Sequence, residues 1–209
     1  AGLDQIAKLK RHGIDLHTAA SGRTNLPHVR ADMRLPAVRR VAHAFVCEIV
    51  FDMPGEKGML RYAASRAGVP TIVYEAGEPL KFQKELIKQG VGGIKNVMAD
   101  LGMYEFARNS PPFQFMVEDH HWVRAEKGGI FIHNVKPGDI VRKGEAIGVT
   151  TKPFGTEAAP LKAPYTGLVV GCSTIPMVIP GSAVVHLVKM GKKHRAFRKL
   201  LRRQRVLFE

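Results

Sequence analysis

Two short stretches of the sequence carry side chains fit for chemistry. Asp15-Leu16-His17-Thr18 follows an approach of mixed apolar and polar residues that reads as the end of a strand. A neutral imidazole is a common zinc ligand. An acid two residues earlier falls on the same strand face, where it can orient that ring or support its neighbours. Glu75 closes the apolar run TIVYE, 71–75, and is followed by Ala76-Gly77. A carboxylate at the C-terminal end of a parallel strand sits where α/β folds place their ligands. Each residue also has an ordinary reading. A lone histidine is more often structural, and a glutamate at a loop is more often solvated. Glu78, deeper in the same loop, competes with Glu75.

The elements that must position these groups follow from periodicity. Residues 36–45, PAVRRVAHAF, begin with Pro and space Val38, Val41, Ala42 and Phe45 along one helical stripe. VCEIVF, 46–51, is a β-branched run with the character of a buried strand, and DMPGEKG is a loop by its Pro and Gly. GMLRYAASRA, 58–67, reads as a short helix ended by Gly68, and 71–75 as the next strand. Strand, helix, strand at this spacing is a βαβ unit and implies a parallel sheet. The stretch 80–102 is mostly helical, with Gly90, Gly92 and Gly93 expected to interrupt it.

From about residue 121 the texture changes to short β-like pieces separated by turn chemistry such as Pro137-Gly138-Asp139 and Lys143-Gly144-Glu145. That regular spacing points to a small barrel or sandwich. The expected organisation is an α/β part at 1–120, an all-β part at 121–190 and a basic helical tail at 191–209.

Taken together these segments resemble the succinylglutamate desuccinylase/aspartoacylase family, a branch of the zinc carboxypeptidase superfamily. The resemblance rests on DLHTAASGRTNLPHVRAD, LRYAASRAGVPTIVYEAGEP and GVGGIKNVMADLGM. It continues through VKPGDIVRKGEAIGVTTKPFG, LKAPYTGLVVG and IPMVIPGSAVVHLV, covering roughly residues 10–190. It implies an α/β fold, the C-terminal part of a zinc-carboxypeptidase-like parallel or mixed sheet, followed by the family's small β domain. It also implies that His17 is the third zinc ligand and that Glu75, in the strand-end E-x-G, is the general base. Arg61 is the nearest match to an arginine that binds a substrate carboxylate. A zinc ion in such a site lowers the pKa of water from about 15.7 towards about 7 and polarises a carbonyl. The implied reaction is hydrolysis of an N-acyl amino acid or a similar small amide. A zinc carboxypeptidase acting on peptides is the neighbouring alternative.

The family's first two zinc ligands form an upstream H-x-x-E motif, and no H-x-x-E occurs in these 209 residues. His28, His43, His120, His121, His133, His186 and His194 all lack a glutamate at that spacing. Two readings follow: an N-terminally incomplete chain, or a short homologue that has lost catalysis or serves as a binding module. Either way the 209 residues alone are expected to hold zinc poorly. Calorimetric titration with zinc should show only weak binding, and one tightly held ion per chain would overturn this expectation.

Composition sets outer limits. The chain is 45% hydrophobic and 24% charged, with a net charge of +14. Residues 189–209 hold nine Lys/Arg against the single acid Glu209, so most of the excess belongs to the tail. Nucleic-acid binding is therefore not expected, since the body is only mildly basic and the tail carries no recognisable motif. No apolar run approaches the roughly 18 residues of a membrane helix. Cys47 and Cys172 lie far apart in apolar stretches and read as buried thiols, giving a cytoplasmic address. A carrier role would need a lysine at a hairpin tip; the corresponding turn, 154–159, has none, and Lys162 falls in the next strand. The expected partner is a small-molecule substrate, with a homo-oligomer left open.

Overall fold

The computed structural model describes residues 11–103, 105, 114–155 and 158–191. The basic tail beyond Gly191 lies outside them. Two compact units emerge, one from the residues up to Thr18 together with Pro27–Glu118, the other from Ala19–Leu26 together with Asp119 onward. The segment 19–26, read from sequence as part of the N-terminal domain, thus groups with the second unit.

The first unit is a sheet with helices. Its strands are β1 (Gly13–His17), the second half of β2 (Arg23–Ala31), β3 (Ile49–Asp52), β4 (Thr71–Gly77) and β5 (Phe115–Val117). They lie in the order β1-β4-β2-β3-β5, and the β1–β4, β2–β3 and β3–β5 pairs are parallel. Within the sheet, β3 and β4 are separated by β2. Its short side chains Val29 and Ala31 are fully buried there, as a central strand requires.

Helix α1 (Pro36–Phe45) occupies the span expected from its spacing and buries Val38, Val41, Ala42 and Phe45. The following strand starts three residues later than the β-branched run suggested. Val46 adopts a left-handed conformation, φ 67°, and its N–H reaches the His43 carbonyl to close the helix. Helix α2 (Leu60–Arg66) precedes β4. Helix α3 (Lys84–Asp100) is continuous through all three glycines, contrary to the expected interruption. Gly90 and Gly93, one helical turn apart, are buried where α3 passes close to Tyr74 and Phe45. A Cβ at Gly90 would sit 3.1 Å from the Tyr74 ring. These glycines serve close packing.

Strand alternation sorts the unit into two faces. Ile14, Val29, Ala31, Val50, Ile72, Tyr74 and Ala76 join α1 and α3 in one hydrophobic core. The intervening positions, Asp15, His17, His28, Arg30, Val73 and Glu75, therefore turn to the opposite face.

The second unit, over its described residues, is all-β. Strand β6 (His120–Arg124) pairs with β13 (Ala183–Lys189), and β13 with β11 (Gly167–Ser173). β11 also pairs with β8 (Ile140–Val141) and with the first half of β2. A second sheet runs β10-β9-β7-β12, built from Ala159–Lys162, Ala146–Thr151, Gly129–His133 and Met177–Val178. Every pairing in this unit is antiparallel. The turns form as their residue types require. The Lys136 amide donates to Asp139 Oδ2 at 2.9 Å, and the Arg142 amide to Glu145 Oε2 at 2.8 Å. Gly138 and Gly144 supply the positive φ each turn needs.

Cys47 and Cys172 are both buried free thiols, and burial pushes each up to about 12. Among the described residues no helix is long and apolar enough to cross a membrane.

Candidate active site

The pairing of β1 with β4 sets His17 directly opposite Glu75 at the strands' C-terminal ends. Because paired residues of neighbouring strands share a face, the imidazole and the carboxylate project to the same side. Asp15 lies on that side too. His17 Nε2–H donates to Asp15 Oδ2 at 3.0 Å. In the neutral ring, a proton on Nε2 directed at Asp15 leaves the lone pair on Nδ1. His17 is half exposed, with 51% of its side-chain surface accessible, so its Nδ1 edge is open to a ligand.

Arg61 stands in the first turn of α2 and is only 8% exposed. The loop between β3 and α2 wraps its guanidinium: Nε donates to the Met53 carbonyl at 3.3 Å, and a Cβ on Gly55 would come within 3.1 Å of that nitrogen. The charges acting on Arg61 are Arg30, which repels it, and Glu75 and Asp15, which attract it. Burial first, and Arg30 second, pull it below its ordinary value, though an arginine so placed stays charged. Among the described residues the two Nη groups of this buried guanidinium have no hydrogen-bond partner, so four donors remain for an anion.

The sequence offered Glu75 no counter-charge. In the fold it has one: Arg30 Nη2 donates to Glu75 Oε1 at 3.0 Å. Arg30 Nε in turn donates to Nε2 of His28 at 3.1 Å, and His28 is 1% exposed with its ring tilted against Phe51. Arginine can only donate, so His28 accepts on Nε2 and is neutral. Its 3.9 Å approach to Glu75 Oε1 is then not an ion pair. Sequence reasoning missed both residues. The available signal was the alternation in Pro27-His28-Val29-Arg30-Ala31, which puts two polar side chains on one face of an otherwise buried strand. Glu78, the competing acid, forms an ion pair with Lys81 and donates its amide to Gln83 Oε1.

Among the described residues no three His, Cys, Asp or Glu side chains converge on a point where a metal could bind. His17 fits one ligand position in protonation pattern and exposure, but a zinc site built by the protein needs at least two more donors. The donor set here does not complete one. A cavity of about 250 Å³ opens on the opposite, helix-covered face, between Leu16, Tyr74, Ala76, Leu86, Ile87 and Val91, and His17 and Thr18 also line it. Its walls are mostly apolar, with Lys81 and Gln83 at the lining, and Glu75 is not among them.

This arrangement puts a carboxylate and an imidazole on one sheet face, with the buried guanidinium of Arg61 near enough to feel the charges of Glu75 and Asp15. Residues 3–101 match the succinylglutamate desuccinylase/aspartoacylase catalytic domain. Over this stretch, just under half of the chain, the sequence is similar to that family. No curated protein matches the sequence. Among solved structures, the ectoine utilization protein EutE of Ruegeria pomeroyi is similar with a TM-score of 0.78 at 16% identity, over 90% of this chain and 63% of that one. A succinylglutamate desuccinylase/aspartoacylase of Rhodobacter sphaeroides is similar with a TM-score of 0.76 at 22% identity, over 91% of this chain and 61% of that one. Identities this low establish the fold. The chain spans less than two thirds of the length of either protein.

Proposed function

We propose that this chain contributes the general base, one zinc ligand and the substrate-binding arginine of a cytoplasmic, zinc-dependent deacylase. Its substrates would be N-acyl amino acids or similar small amides. The observation that carries the reading is the register of β1 and β4, which sets His17 against Glu75 with buried Arg61 close by. EutE of Ruegeria pomeroyi has been solved with its product bound, in keeping with a small-molecule ligand for this fold. In this reading residues 1–120 act as the catalytic part, the all-β unit as a small barrel or sandwich, and 191–209 as a basic helix without a nucleic-acid role.

The roles divide by chemistry. Glu75 takes a proton from the attacking water and passes it to the leaving amine, which departs as a neutral molecule once protonated. Arg61 holds the carboxylate of the amino-acid portion through its Nη groups, as a planar fork suited to two oxygens. Asp15 fixes the His17 ring so that Nδ1 faces a metal. Zinc, when bound, would supply a Lewis acid for the carbonyl and a more acidic water. A non-catalytic homologue is the second reading, supported by the described residues not completing a metal site.

The test is amine release from N-succinyl and N-acetyl amino acids by the product of the whole coding sequence, purified with zinc. Turnover of at least one such amide is expected. Zinc-loaded protein that cleaves none of them would overturn the deacylase reading. In active protein Arg61→Ala should raise KM roughly 10- to 100-fold with little change in kcat, the loss of a charge-assisted pair of about 1.5–3 kcal/mol. A fall confined to kcat would assign Arg61 elsewhere.

A further inference from the structure

We propose that Arg30, anchored by the buried His28, is the positioning residue for Glu75. This rests on the reading of Glu75 as the base. The geometry is a relay across neighbouring strands. Arg30 projects from β2, next to β4 in the sheet, and its guanidinium spans two acceptors on the same face. Nη2 meets Glu75 Oε1 at 3.0 Å, while Nε meets His28 Nε2 at 3.1 Å. Because the guanidinium is rigid and planar, fixing Nε also fixes the direction in which Nη2 points. His28 is a firm anchor: it is 1% exposed, and its ring lies 4.8 Å from that of Phe51 on β3.

The device answers a specific need. A base at a strand end, 13% exposed, has two side-chain torsions before its carboxyl and would sample several directions unless something held it. Charge alone could be supplied by a lysine, but direction could not. A lysine at position 30 has one terminal nitrogen on a flexible stem and cannot hold His28 and Glu75 at once in the same geometry. Arg61, whose Nε donates to the Met53 carbonyl, makes no hydrogen bond to Glu75 among the described residues. The two arginines therefore have separate tasks: Arg30 is committed to the base, and Arg61 keeps its Nη groups for the ligand. His28 enters no step of the reaction; it holds the arginine that holds the carboxylate.

Two measurements test this. The first needs no turnover: long-range proton–nitrogen NMR of the histidine rings in the 209-residue chain at pH 7.5. His28 should show the Nδ1–H tautomer with a bare, hydrogen-bonded Nε2, and Arg30→Lys should shift that nitrogen. An Nε2–H tautomer in the parent protein would overturn the anchor. The second uses the zinc-loaded product of the whole coding sequence. Arg30→Lys should lower kcat by roughly 100-fold, the lower end of what a well-placed base contributes, with KM within about threefold. His28→Gln, with a shorter reach and altered direction, should fall between the parent and Arg30→Lys. Equal kcat in parent and Arg30→Lys, with the fold intact by circular dichroism, would overturn the proposal. If the parent cleaves no amide, the deacylase reading fails, while the tautomer measurement still decides whether His28 anchors Arg30.

Discussion

On the deacylase reading, Glu75→Gln is expected to lower kcat of the zinc-loaded product of the whole coding sequence by about 1,000-fold, within the 10²–10⁴ range for loss of a general base. KM should change by no more than about threefold. The substitution keeps the length of the side chain and an oxygen that can still accept from Arg30 Nη2, so the site should keep its shape. What disappears is the ability to take a proton. Zinc content should be unaffected, because in this reading Glu75 binds the proton and not the metal. The same change removes the larger of the two attractive charges on Arg61 and leaves the Arg30 repulsion in place, so a small loss of stability should accompany it. The control is Glu78→Gln. Glu78 is paired with Lys81 and stands outside the Asp15–His17–Glu75 group, so its loss should leave kcat within about twofold. A Glu75→Gln enzyme retaining more than a tenth of parent kcat would place the base elsewhere.

How much of this site could be read from the sequence depends on whether its geometry is local. Asp15 and His17 were legible because they share one strand, where a separation of two residues fixes a common face. Glu75 was legible as a strand end, but its partnership with His17 depends on the parallel register of β1 against β4, which no spacing records. Arg30 is 45 residues from Glu75 in the chain, and it reaches the carboxylate only because β2 lies next to β4. The βαβ pattern implied a parallel sheet but not which strand lies beside β4. Strand order is settled by which strand best tolerates burial on both sides, a competition among all strands at once.

The fold itself was more legible where a single residue type has a single physical use. Pro36 and the stripe Val38, Val41, Phe45 located α1 to the residue. The turns around Asp139 and Glu145 formed as their side chains dictate. The errors came from residues with two uses. Val46 has the β-branched character of a strand residue, yet it closes α1 in a left-handed conformation. Glycine is the sharper case: at Gly68 it permits a positive φ just past the end of a helix, while at Gly90 and Gly93 it simply lacks a side chain. Sequence cannot separate the two uses, because the difference lies in what stands opposite.

That distinction has a measurable consequence within α3. Gly92→Ala should stabilise the protein by about 0.5–1 kcal/mol, because alanine is the better helix former and nothing lies within 4 Å of the new Cβ. Gly93→Ala, one residue on, gains the same propensity but places its Cβ 2.5 Å from Phe45 Cε1 and 2.7 Å from Cε2. Phe45 cannot yield easily: it is 2% exposed, and its ring already lies 5.1 Å from that of Tyr74. Relief must come from moving α3 away from α1 or forcing the ring off its rotamer, at a cost of about 1–3 kcal/mol before the gain in propensity is set against it. Gly93→Leu removes any ambiguity of sign, since a full side chain cannot fit between helix and ring; it should cost more than about 3 kcal/mol. Urea denaturation reads all three, with the midpoint rising for Gly92→Ala and falling sharply for Gly93→Leu. If Gly93→Leu unfolds at the same urea concentration as the parent, α3 does not rest on Phe45.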